Sequence, residues 1–172
     1  LSIVCFNEKQ WIGNGMIIPS GPLRERLTAL KRANCVIING KKNTDNEKRI
    51  LSHNKEIKIF YTKYKAQNID EFRNKKVIAF AGIGSPDSFF DLLKNNNIDI
   101  LEKISFPDHY NYSDKELENL INKAKENNTI LLTTEKDYLR IEENYKKNIN
   151  CLKIAVEIEN RNQFIEEIKK VI

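Results

Sequence analysis

Apolar residues in this chain come in short runs, separated by stretches where they recur at helical spacing; that alternation sets strands against helices. Leu1 to Phe6 reads as a short strand, Cys35 to Asn39 as a buried strand closed by Gly40, and Ile57 to Tyr64 as a half-exposed strand or a linker. Between the first two, Pro19-Ser20-Gly21-Pro22 could open a helix with Leu23, Leu27 and Leu30 on one face. A new unit begins near Asn74, with Val77 to Ala81 a buried strand and Ser85-Pro86-Asp87 the start of a helix through Phe89, Phe90, Leu92 and Leu93. Ile98 to Phe106 is a further strand. Ser113 with Glu116 has the spacing of a capping box, opening a helix through Leu117, Leu120, Ile121 and Ala124. Thr129 to Thr133 and Cys151 to Val156 read as the last strands. A helix from Asn160, with Phe164, Ile165, Ile168 and Val171 on its apolar face, closes the chain.

Strand and helix in alternation, with short connections, predict an α/β fold with a largely parallel sheet. Such a sheet gathers ligands at the carboxyl ends of its strands. Gly82, Gly84, Asp108, His109, Thr133 and Thr134 all follow predicted strands, so one sheet edge should collect them. Asp108-His109 carries the chemistry there, because a carboxylate beside an imidazole can orient it for proton transfer near neutral pH. Residues 82–84, Gly-Ile-Gly, are half of a dinucleotide fingerprint; Phe89 and Phe90 follow where a third glycine would be sought. A tight turn before a capped helix and an anion site are equal readings of that pair. A G-x-x-x-x-G-K-[ST] phosphate loop occurs nowhere in the 172 residues.

Composition narrows this only a little. With 40% hydrophobic and 31% charged residues, and six Gly and four Pro, the chain is globular. No apolar run is long enough to span a bilayer, and the first residues lack the basic segment of a signal peptide, reading instead as a strand cut from a longer chain. Cys5, Cys35 and Cys151 are odd in number, far apart and set in apolar runs, which predicts buried free thiols over disulfides or a zinc site. A net charge of +5 suits an anionic partner, but Lys and Asn are spread throughout, so a solvated surface explains it first. His53 matches no motif and reads as a surface residue.

Five stretches in order, spread over nearly the whole chain, resemble one family. They are residues 13–15 through 19–25 (Gly-Asn-Gly to Pro-Ser-Gly-Pro-Leu-Arg-Glu), 38–40 (Ile-Asn-Gly), 79–84 (Ala-Phe-Ala-Gly-Ile-Gly), 106–110 (Phe-Pro-Asp-His-Tyr) and 133–137 (Thr-Thr-Glu-Lys-Asp). On these residues the chain is similar to the tetraacyldisaccharide 4'-kinases of lipid A biosynthesis.

The resemblance implies a kinase moving the ATP γ-phosphate, with magnesium, to the 4'-hydroxyl of an acylated disaccharide 1-phosphate at the cytoplasmic face of a Gram-negative inner membrane. It implies a peripheral contact with that membrane and no nucleic-acid partner. It also implies that this chain is roughly the C-terminal half, inactive without an N-terminal half that carries the phosphate loop and binds most of the ATP and Mg. Residues 1–54 would end that P-loop-type domain, 55–73 would be a linker strand region, and 74–172 a Rossmann-like C-terminal domain. By resemblance His109, Asp108 and Arg24 are catalytic, Glu25, Asn14, Gly82 and Gly84 contact substrate or phosphate, no residue of this chain ligates a metal, and Lys136 and Asp137 are structural or on the rim. Arg24 would offer phosphate a bidentate fork; Glu25 reads equally as an ordinary first-turn acid. Two other classes stay open: a non-catalytic α/β phosphate- or nucleotide-sugar-binding module, and a half-protein whose role is association with another chain.

Overall fold

A computed structural model describes all residues from Leu1 to Ile172 and divides them into two compact units. The first holds Leu1–Tyr64 and Val156–Ile172, the second Lys65–Ala155. The sequence pattern drew its segments at residues 54 and 73; the chain passes between units after Tyr64 and again after Ala155.

The first unit is built on a four-stranded sheet in the order β1 (Ile3–Asn7), β2 (Cys35–Asn39), β3 (Lys58–Ala66) and β8 (Ile154–Ile158), with the first three parallel. On one face Val36 and Ile38 pack with Leu30, Ile50, Ile57 and Tyr61. Ile50 comes from helix α1 (Thr44–Leu51), which the sequence pattern did not reveal; Asn43 caps it by accepting from the backbone of Asp45 and Asn46. Helix α6 (Arg161–Lys169) sets Phe164 edge-on against Phe60. No helix opens at Pro19–Pro22. Residues 16–23 instead close on themselves through backbone bonds from Ile18 to Leu23 and from Leu23 to Met16, and only Leu27–Arg32 winds into a 3₁₀ turn.

The second unit is a fully parallel sheet in the order β5 (Asp99–Ser105), β4 (Lys76–Ala81), β6 (Ile130–Thr134), β7 (Asn150–Leu152). Successive side chains of a strand point to opposite faces, so β4 feeds two cores at once. Val77, Ala79 and Ala81 join Phe89, Phe90 and Leu93 of α2 (Pro86–Asn95) on one side. Ile78 and Phe80 join Leu117, Leu120, Ile121 and Ala124 of α3 (Asp114–Glu126) on the other. Each such burial contributes about 1.5–3 kcal/mol, well above the per-residue helix propensity of at most about 0.7 kcal/mol, so packing and not propensity holds these helices. The alternation therefore yields a helix–sheet–helix sandwich, as the α/β reading anticipated.

Two readings need correction. The run Cys151 to Val156 is not one strand: it breaks at Lys153, giving β7 to the second unit's sheet and β8 to the first's. The thiols are all free, but only Cys35 is buried; Cys5 is exposed, because β1 is the edge strand of its sheet and one row of its side chains is uncovered.

The capping box at α3 is complete. Ser113 accepts from the Glu116 amide, and Glu116 accepts in return from the Ser113 amide at 2.8 Å and from the Tyr110 hydroxyl at 2.6 Å. Hydrogen bonds from Ser113 and then Tyr110 hold the Glu116 carboxyl below its ordinary value. A lowered folded-state value means stability that is full above the unfolded carboxyl's range and is lost as pH falls through the folded one. Ser113→Ala should cost about 1 kcal/mol in urea unfolding. Glu116→Gln should flatten the stability profile below about pH 4.5, near the ordinary glutamate value; an unchanged acid limb would refute that assignment.

Candidate functional site

Because β4, β5 and β6 run parallel, their carboxyl ends open on one edge of the second unit. Gly82 and Gly84 follow β4, Asp108 and His109 follow β5, and Glu135–Tyr138 forms a short helix, α4, directly after β6. The sequence analysis expected this gathering, and the edge holds it together by a device the sequence analysis did not assign. Asp137 is fully buried and accepts from the Gly82 amide at 3.0 Å and the Thr134 hydroxyl at 2.7 Å, while Arg140 closes an ion pair onto its other oxygen. Arg140 also donates to the Gly82 carbonyl at 2.9 Å and to the Tyr110 carbonyl at 3.4 Å. One buried carboxylate and one guanidinium thus tie together the turns after β4, β5 and β6.

Space at this edge is tight, most of all at Gly82. A Cβ on Gly82 would meet the Tyr112 hydroxyl at 2.8 Å and Asp137 at 3.2 Å, and one on Gly84 would sit 3.3 Å from Asp108. The Tyr112 hydroxyl is buried without a hydrogen-bond partner, and burial, then the charge of Asp137, push its phenol far above the ordinary tyrosine range. It is therefore a neutral wall of the turn.

His109 occupies the left-handed backbone region, φ 59°, which His adopts more readily than most residues but still uncommonly. Its amide donates to the Gly82 carbonyl at 3.1 Å and to Asp108 Oδ1 at 3.0 Å, so the turn is pinned from both sides. The imidazole itself projects into solvent, with 69% of its side chain exposed. Its Nε2 lies 3.8 Å from Asp108 Oδ2, too far for a hydrogen bond, and 3.4 Å from Lys136 Nζ, which also stands 3.6 Å from Asp108 Oδ1. Lys136 and Asp137, neighbours in sequence, have opposite surroundings: one reaches out to the histidine, the other is sealed beneath it.

The remaining sequence candidates belong to the first unit. Arg24 and Glu25 line a groove of about 590 Å³ along β1, together with Trp11, Arg26 and Arg32. Glu25 is ion-paired to Arg32. Asn14 spends both polar atoms inside its own loop, donating to the Ser20 carbonyl at 2.7 Å and accepting from the Met16 amide at 3.0 Å. His53, read as a surface residue, is half-buried. No group of three or more His, Cys, Asp or Glu side chains converges as a metal ion would need, and no helix is long and apolar enough to cross a membrane.

Comparison with known proteins places this geometry. The family model described as tetraacyldisaccharide-1-P 4'-kinase matches residues 1–172. The chain belongs to the tetraacyldisaccharide 4'-kinase family. It is 40% identical over 179 residues to the tetraacyldisaccharide 4'-kinase of Pelagibacter ubique, covering 99% of this chain and 55% of that one. To its counterpart from Rickettsia akari it is 38% identical, covering 98% and 51%. The fold is similar to that of LpxK from Aquifex aeolicus, solved in complex with ATP: TM-score 0.66, 27% identity, 99% of this chain and 52% of that one. The chain spans about half the length of the curated relatives it matches.

Arg140 is the residue the sequence analysis missed; its i, i+3 spacing from Asp137 within a turn capped by Thr134 was the available signal. Arg140→Ala should leave Asp137 buried with its charge uncompensated and cost about 3–5 kcal/mol in denaturant unfolding. Adding Asp137→Asn to that variant should recover part of the loss. A cost under about 1 kcal/mol, the scale of a surface pair, would show that the ion pair is not what anchors the edge.

Proposed function

We propose that this chain supplies half of an ATP-dependent kinase that phosphorylates the 4'-hydroxyl of a tetraacyldisaccharide 1-phosphate. The observation that carries the proposal is the family match from the first residue to the last, over the same positions that the sheet edge displays. The chain contains no phosphate-loop motif, so the reading assigns the cradling of ATP, and the magnesium that accompanies it, to the part of the family's chain not present here. Bound magnesium would neutralise phosphate charge; no donor cluster in this chain is assigned to it.

In this reading His109 Nε2, in cooperation with a catalytic aspartate of the half not present here, accepts from the acceptor hydroxyl and draws off its proton as its oxygen bonds to phosphorus and the bond to the departing diphosphate breaks. Asp108 fixes the turn that presents the ring, through its bond to the His109 amide. Arg24 offers its planar fork to phosphate oxygens, with Glu25 and Asn14 shaping the segment that carries it. Gly84, exposed at the turn, keeps its backbone within reach of the substrate, while Gly82 shapes the turn beneath it.

The same reading has the protein work at the cytoplasmic face of the Gram-negative inner membrane, and two features support a lipid contact. Charge is unevenly shared: fifteen basic and nine acidic side chains lie in the first unit, fourteen and fifteen in the second. Within the first unit the tied loop holds Met16, Ile17 and Ile18 exposed by 56%, 41% and 60%, and a Cβ at Gly15 would lie 3.8 Å from the Arg49 guanidinium. Apolar side chains beside basic ones suit an anionic lipid surface.

In a full-length chain carrying this sequence as its matching half, His109→Ala should lower turnover by roughly two to four orders of magnitude while KM moves far less. Arg24→Ala should also reduce turnover, with Arg24→Lys restoring only part of it, since a point charge does not replace the fork. Unchanged turnover of the folded His109→Ala protein would remove His109 from the reaction. Separately, Met16→Ser with Ile18→Ser should weaken flotation with phosphatidylglycerol vesicles by about tenfold, at roughly 0.8 kcal/mol per buried CH₂; equal flotation of both proteins would exclude the loop as the contact.

A further inference from the structure

The group within hydrogen-bond distance of the His109 ring is a lysine and not the neighbouring aspartate. Lys136 Nζ is 3.4 Å from Nε2, whereas Asp108 directs Oδ1 to the His109 amide and leaves Oδ2 3.8 Å from the ring. An ammonium has three donors and no acceptor. Facing it, Nε2 can only accept, so the ring proton of a neutral imidazole must sit on Nδ1. The carboxylate makes the opposite demand, favouring a proton on Nε2, but Lys136 also stands 3.6 Å from Asp108 Oδ1 and offsets that charge.

The backbone of Lys136 is fixed by its neighbours. Thr134 caps α4, with its hydroxyl accepting from the Asp137 amide at 3.1 Å, and Asp137 is bound into the buried network beneath. The Lys136 carbonyl is held at 3.4 Å from Arg140 Nε. The long side chain therefore starts from a rigid point and ends beside the imidazole.

We propose that Lys136 is a positioning residue that holds His109 as the Nδ1-protonated tautomer, keeping the Nε2 lone pair free of a proton and turned outward. The proposal rests on His109 being the proton acceptor of the phosphoryl transfer. An incoming hydroxyl takes the place of Nζ at Nε2, and Lys136 keeps Asp108 Oδ1 as its partner, so the exchange gives up a single contact. Without Lys136, a neutral imidazole reverts toward the Nε2-protonated form that free histidine prefers, and that form presents a donor where the reaction needs an acceptor.

The test reads the tautomer directly. The chain has two histidines, so long-range ¹H–¹⁵N spectra at about pH 8.5, roughly two units above an ordinary imidazole pKa, separate His109 from His53. In the native chain His109 should show the Nδ1–H pattern as its major form. Lys136→Met, which keeps the length and loses the charge, should shift the ratio toward Nε2–H by about fivefold, on the scale of one charge-assisted bond at an exposed site. Lys136→Arg should hold the native ratio, and in either variant the amide spectrum of residues 65–155 should change only beside the substituted side chain, which controls for folding of the second unit. A native ring already in the Nε2–H form, or a ratio changed by less than about twofold in the Met variant, would overturn the proposal. In the full-length enzyme Lys136→Met should lower kcat about tenfold with KM little changed and Arg restoring most of it. A tautomer shift without a loss of kcat would leave Lys136 as the holder of the ring and refute His109 as the base, so the two readings fail separately.

Discussion

The second unit depends on one buried charge. Asp137 has no solvent-exposed surface, and an uncompensated carboxylate in such a place would cost several kcal/mol. It is compensated by the Gly82 amide from the turn after β4, and by the Thr134 hydroxyl and Arg140 guanidinium of its own turn after β6. Those three donors have to converge for the carboxylate to be tolerated, so the turns after β4 and β6 are fixed relative to each other whether or not substrate is bound. Arg140 then extends the constraint to the turn after β5 by reaching the Gly82 and Tyr110 carbonyls. The side chains of Asp108, His109 and Lys136 stand on this base, exposed, while the carboxylate that ties the turns is buried.

His109 shows the local cost of that arrangement. Its left-handed backbone is a conformation a side chain resists, and it persists because its amide is bonded on two sides within a turn whose other walls are Gly82 and a neutral, buried phenol. The short distance from Gly82 to the buried Tyr112 hydroxyl explains why that position lacks a Cβ. Gly82 is accounted for by crowding before any ligand is considered.

Much of this was legible in the chain. Val77 to Ala81 and Thr129 to Thr133 are apolar runs of strand length flanked by turn residues, and Ser113 with Glu116 announces its helix, so the second sheet and the edge where its turns gather could be placed from pattern alone. What pattern could not reach were features set by distant partners. Helix α1 has a mostly polar sequence and is held by Ile50 alone among its fully buried residues. The segment from Pro19 to Leu30 has helical spacing of leucines, yet its backbone bonds close a loop instead. Asp137 looks like any acid in a first turn, and Lys136 beside it like any surface lysine; only the fold separates a sealed anchor from a group that reaches a histidine. The break at Lys153 was invisible because both halves of the run are apolar, and the sheets that claim them are formed by residues far away in sequence.

That break has a consequence for the order in which the protein comes into being. Residues 65–155 are contiguous, so every strand of the second sheet has been made once the chain reaches Leu152. The first sheet, whose β1, β2 and β3 precede all of these strands, waits for β8, and the aromatic pair between Phe60 and Phe164 waits longer still. During synthesis, which proceeds at about 5–20 residues per second, the second sheet therefore has all its strands before the first sheet receives its fourth. The β3 edge of the first sheet remains open until β8 is made, so segments on both sides of the second unit complete one sheet.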